Sequence, residues 1–136
     1  MKKINFIIAA SVISLNLQGC SKYQPIYNIS HQDLPLLSHA LTEQEIGNII
    51  IEAAKNRGWT CTQREPNKLI CTHKRGRHHA TIDISFTQHD FSIKHINAGH
   101  LDAGDDHVHR VYNKWIRLLE NTIFEKFEKH ALLKKK

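Results

Sequence analysis

The run His79-Ala80-Thr81-Ile82-Asp83-Ile84-Ser85-Phe86-Thr87-Gln88-His89-Asp90-Phe91-Ser92-Ile93-Lys94-His95-Ile96 decides the fold. Apolar residues recur at alternate positions on both sides of Thr87-Gln88-His89-Asp90, the pattern of strand, turn and strand. Pairing Phe86 with Phe91 sets Ile84 against Ile93, Ile82 against His95 and Asp83 against Lys94. Apolar pairs then share one face and an opposite-charge pair takes the other, as a half-buried antiparallel pair requires.

The same face extends upstream. Gly76-Arg77 suits a two-residue turn with glycine in the first central position, so Arg75 meets His78, Leu69 meets Ile84 and Cys71 meets Ile82. A three-residue turn at Glu65-Pro66-Asn67 adds another strand and brings Cys61 opposite Cys71. Three turns agree on one buried face. They predict a four-stranded antiparallel meander over Trp59–Arg64, Lys68–Lys74, His79–Phe86 and Phe91–Ile96.

Helical signals flank the meander. Thr42-Glu43-Gln44-Glu45 has the form of a capping box, and Ile46, Ile49, Ile50, Ala53 and Ala54 follow on one helical face. With Gly58 as a stop, a helix is predicted over 43–57. After a glycine-containing loop at Asn97–Asp105, Asp105 or Asp106 is placed to cap a second helix reaching about Lys129. Its inner face would carry Val108, Val111, Tyr112, Trp115, Leu119, Ile123 and Phe127, with Ile116 alongside. The expected fold is an α+β two-layer sandwich in the order helix, meander, helix, with both helices on one sheet face.

The N-terminus carries a different message. Lys2 and Lys3 precede a mostly apolar run, Ile4–Leu17, which is shorter than the ~20 residues that span a bilayer and reads as a secretory signal peptide. Leu17-Gln18-Gly19-Cys20 resembles the lipobox of bacterial lipoproteins. That resemblance implies a signal peptide over 1–19, cleavage before Cys20 and acylation there by diacylglycerol and a fatty acid such as palmitate. Ser21 rather than Asp after the cysteine resembles lipoproteins sorted to the outer membrane. The alternative is an ordinary cleaved signal that leaves Cys20 as a thiol. Pro25, Pro35 and the lack of a sustained period then suggest a tether over 20–40, an α+β domain over 41–130 and a basic tail over 131–136.

Composition narrows the class without naming an activity. The 136 residues are 40% hydrophobic and 24% charged, which excludes collagen-like, polytopic-membrane and disordered chains. Three cysteines exclude a dense disulfide scaffold. Nineteen Lys and Arg against 13 Asp and Glu give a formal charge of +6. Loss of Lys2 and Lys3 leaves +4, and Lys134, Lys135 and Lys136 account for three of those charges.

Cys61 and Cys71 face each other in the predicted register, so a structural disulfide suits an oxidising compartment. Redox chemistry and metal ligation are the other readings, although no CxxC motif occurs. Eleven histidines invite a metal reading. His100, Asp102, Asp106 and His107 are the candidate ligands around the loop, but zinc needs three or four converging donors, and no HxxxH or HExxH is present. His107 and His109 would point about 200° apart on a helix. Acidic helix caps in a solvated loop are the plainer reading, and His95 is placed inward at the core margin. Lys74, Arg75 and Arg77 at a hairpin tip are candidates for an anionic surface. Nucleic acid fits poorly, because no aromatics interleave those charges. No GxSxG, P-loop, GxGxxG or SxxK signature occurs, so no enzyme and no cofactor are expected.

The stretch Gly58–Leu119 looks like small, largely uncharacterised lipoproteins of Gram-negative bacteria. Arg57-Gly58-Trp59, Ala80-Thr81-Ile82-Asp83-Ile84, Phe91-Ser92-Ile93-Lys94 and Tyr112-Asn113-Lys114-Trp115-Ile116 carry the resemblance, and His95 stands where an aromatic is more usual. It implies an envelope location and an α+β fold, and no reaction. The expectation is a lipoprotein anchored at Cys20, facing the periplasm from the outer membrane. Its small non-enzymatic domain would bind an envelope protein or an anionic envelope component. A histidine-mediated metal-binding periplasmic protein is the alternative.

Overall fold

The structure, a computed structural model, describes residues 21–135; the expected signal peptide at 1–19, the expected lipidation site Cys20 and Lys136 lie outside the described residues. Two short strands come first, β1 (Tyr23–Pro25) and β2 (Ile29–Asp33), followed by a 3₁₀ turn at Leu36–Ala40. Helix α1 (Glu43–Asn56) starts on the capping box, with Thr42 Oγ1 accepting the Glu45 N–H and the Glu45 carboxylate accepting the Thr42 N–H. The meander is β3 (Trp59–Glu65), β4 (Lys68–Arg75), β5 (His78–Phe86) and β6 (Asp90–Gly99); a third short strand, β7 (His107–His109), leads into α2 (Arg110–Lys134).

The meander pairs in the register its side chains dictate. Phe86 faces Phe91, Ile84 faces Ile93, Ile82 faces His95 and Asp83 faces Lys94. Leu69 faces Ile84, Cys71 faces Ile82 and Cys61 faces Cys71. A disulfide joins Cys61 and Cys71. Leu69, Cys71, Ile82, Ile84, Phe86, Phe91 and Ile93 are all buried, while their strand neighbours Ile70, Thr72, Thr81, Asp83 and Ser92 are less so.

The architecture is α+β, but the sheet has five strands, in the order β2-β6-β5-β4-β3, and β1 and β7 form a separate two-stranded sheet. The expected tether over 20–40 is therefore largely built into the fold. Ile29 and Leu34 are at most 6% exposed, and their burial, with β2 paired along the edge of β6, offsets the entropy of ordering the segment. These strands are too short for alternation to show. A bulge between Ile29 and Gln32, where His31 takes a φ of 48°, breaks the period further.

The second helix also starts later than expected. Val108 is fully buried by pairing with Gln24 in β1 and Asp102 in the loop, so the chain stays extended through His109. The cap is His109, not Asp105 or Asp106: its Nδ1 accepts the Val111 N–H at 3.1 Å. At the other end, residues 131–134 of the expected tail continue the helix.

The helices run antiparallel, tied by Glu45–Lys134 at 3.6 Å, Glu52–Lys126 at 2.6 Å and Arg57 Nε to Thr122 Oγ1 at 2.7 Å. Phe86 reaches α1 where Gly47 leaves room, since a Cβ there would come within 2.9 Å of its ring. Its ladder partner Phe91 meets Phe124 of α2 edge-on at 5.8 Å. The His73 ring fills the gap between Trp59 and Trp115, at 5.2 and 4.5 Å, and its Nδ1–H donates to the Gly58 carbonyl.

Candidate functional site

Three groupings hold the chemistry-bearing side chains, and the register places the first. His95 lies on the core face of β6, opposite Ile82, with its side chain 10% exposed. Its Nε2 is 3.0 Å from Asp102 Oδ1, and Asp102 Oδ2 accepts the Ala98 N–H at 2.9 Å. The imidazole meets Tyr112 edge-to-face at 4.8 Å. His95 Nδ1 and the Tyr112 hydroxyl are buried without a partner. Burial, with the Asp102 charge adding to it, pushes the Tyr112 phenol well above its ordinary value and favours the protonated hydroxyl. Among the described residues no serine, cysteine or threonine side chain hydrogen-bonds to this pair. The His95–Asp102 pair fastens the loop after β6 to the core.

The candidate metal ligands do not assemble. Asp102 is taken by His95, Asp106 contacts its neighbour His107 at 2.7 Å, and His100 is exposed at a left-handed φ of 61°. Among the described residues no three His, Cys, Asp or Glu side chains converge as a metal site would require.

The second grouping is basic. Arg75 and His78 are ladder partners across the β4–β5 turn, with Arg77 between them in the turn. The His78 ring stacks over His109 at 6.4 Å, and Tyr23 of β1 meets His109 edge-on at 6.0 Å. Lys22 lies 5.6 Å from the Tyr23 ring, and its carbonyl accepts the Arg110 N–H at 2.9 Å. Hairpin tip, N-terminal strand and the start of α2 thus form one end of the molecule. Desolvation lowers the His109 pKa, and the positive Lys22, Arg110 and His78 lower it further. Of the sequence candidates, Arg75 and Arg77 belong to this end directly and Lys74 through its ladder partner His79. Lys22 and Arg110 were missed, and His109 was not placed with them, because β1 had no period to reveal it. The one available signal was Asn113, one helical turn beyond His109, a spacing that suits fixing a loop. Buried Asn113 does this: it accepts the Tyr27 N–H and donates to the Pro25 carbonyl and Gln24 Oε1.

The third grouping is apolar and lies at the opposite end of α2. A hollow of about 220 Å³ between the 3₁₀ turn and the last turns of α2 is lined by Leu37, Leu41, Phe127, His130, Ala131 and Lys134, among others. Leu36, Leu37, Leu132 and Leu133 are exposed around it, Leu36 by 82%. Among the described residues no helix is long and apolar enough to cross a membrane.

Comparison with known proteins finds no matching family, no similar curated protein and no similar solved structure.

Proposed function

We propose that this chain is a lipid-anchored envelope protein, acylated at Cys20 and held on the periplasmic face of the outer membrane. Its α+β domain serves as a non-enzymatic binding module. The observation that carries the reading is how close in sequence the fold comes to the lipobox cysteine. Lys22, two residues after the lipobox cysteine, is hydrogen-bonded to the start of α2, and Tyr23 opens β1. A lipid on Cys20 would thus hold the domain directly at the bilayer, with no long linker between. Several acyl chains at about 0.8 kcal/mol per buried CH₂ make such an anchor effectively permanent. The Cys61–Cys71 disulfide suits the oxidising periplasm.

Metabolic labelling with palmitate tests the anchor. The wild-type chain should take up label and sediment with membranes, whereas Cys20→Ala should lose the label and remain as precursor. A wild-type chain that is processed, unlabelled and soluble would overturn the proposal.

A further inference from the structure

The basic end carries more charge than its own contacts use. Lys22, Arg75, Arg77 and Arg110 are all exposed. Among the described residues none of the four has a carboxylate within ion-pair distance, whereas Lys68, Lys126 and Lys134 each do. The first turn of α2 holds no acidic residue, although the positive end of a helix dipole favours one there. Arg110 occupies that first position instead, stacking like charge on like. The two nearby acids in the loop are little help, since Asp106 is engaged by His107 and Asp105 is exposed beyond it. An external anion would settle this arrangement.

We infer that the face formed by Lys22, Arg75, Arg77, His78 and Arg110 rests on the phosphates of anionic phospholipid headgroups in the membrane that carries the anchor. The inference rests on the lipid-anchor reading and names the partner of that end. Geometry selects a membrane over a soluble anion. Lys22 is only two residues from Cys20, a chain span of at most ~7 Å, so an anchored domain must present this end to the headgroups. The other lysine cluster, Lys134 and Lys135, is separated from it by the 25 residues of α2, about 37 Å at 1.5 Å per residue. The two ends of α2 therefore differ: cations without an ion-pair partner among the described residues, with His78 and His109, stand at the anchored end, and exposed leucines beside Lys134 and Lys135 stand at the free end. Each lysine or arginine close to an anionic surface strengthens binding about fivefold at low salt, so individually weak contacts set orientation while the lipid sets residence.

Among the described residues every buried core side chain lies between Ile29 and Phe127, all within a chain that starts at Ser21. That soluble chain, carrying no lipid, is mixed with vesicles of phosphatidylcholine alone or with phosphatidylglycerol added, and co-sedimentation is measured at low and high salt. Binding should require phosphatidylglycerol and fade as salt rises. Arg75→Ala with Arg77→Ala should weaken it about 25-fold, and Lys134→Ala with Lys135→Ala should leave it unchanged. Lys22→Ala with Arg110→Ala gives a second loss at the same end, should the hairpin variant melt abnormally. Equal binding to neutral vesicles, indifference to both pairs at the basic end, or loss in the Lys134/Lys135 variant instead would overturn the inference. Because no acyl chain is present, failure here leaves the palmitate result standing, and failure of labelling leaves this result standing.

Discussion

His109 caps α2 with a ring nitrogen, and a ring nitrogen titrates where a serine or asparagine does not. Its Nδ1 accepts the Val111 N–H, so the neutral ring is the form the fold uses. Desolvation and the nearby Lys22, Arg110 and His78 charges depress its pKa. A depressed folded-state value means that the neutral ring's contribution is complete above the unfolded value near 6.5 and is lost as pH falls through the folded value. At pH 7.5, His109→Ala should therefore cost about 1 kcal/mol, the usual worth of an N-cap. By thermal melting, the stability gap between wild type and His109→Ser should shift toward the serine variant as pH drops to 5. A gap that stays constant over that range would show that the cap does not titrate. An anion seated on the basic face would oppose this loss, because it favours the protonated ring. At the same scale, Asp102 holds His95 and the Ala98 N–H together. Asp102→Ala should destabilise by about 1–3 kcal/mol, whereas Asp102→Asn, which keeps an acceptor, should cost less.

The elements divide by how locally they are specified. The β4–β6 registers were legible because alternation along β5 and the start of β6 matches that of β4. Cys61 opposite Cys71 places β3, whose turn is shorter than expected, with Glu65 pairing Lys68 after a bulge. Helix α1 was legible from its capping box and apolar stripe. In contrast, β1, β2 and β7 are three to five residues long and owe their form to partners distant in sequence, such as the pairing of Ile29 with Ile93. Local propensity does not carry that information. Asn113 replaces it in the structure by binding three groups of the segment 24–27. Asn113→Ala leaves those groups unpartnered and should cost about 1–3 kcal/mol. Amide exchange should show the loss concentrated in residues 22–28, and protection unchanged there would contradict the assignment. The Cys61–Cys71 bridge closes a short loop, so Cys61→Ser with Cys71→Ser should lower stability by only about 2–3 kcal/mol, read from denaturant midpoints.

At the scale of the whole molecule, the cation-rich face sits at one end of α2 and the exposed leucines, beside Lys134 and Lys135, at the other, and this was only half visible in the sequence. The hairpin cations Lys74, Arg75 and Arg77 stood out as a run, but their union with Lys22, His109 and Arg110 depends on β1 pairing with β7. The basic tail expected over 131–136 continues α2 as far as Lys134, whose ammonium lies 3.6 Å from Glu45. The candidate metal cluster dissolved for a related reason, since the loop spends Asp102 on His95 and turns His100 outward. The proposed envelope role depends on the lipid that would fix the charged end to a bilayer. The intact mass of the protein extracted from membranes tests that claim most directly. The account predicts a chain whose first residue is Cys20, heavier than its peptide mass by a diacylglyceryl group and a fatty acid. A chain that retains Met1, or that begins at or near Cys20 with no added mass, would contradict it.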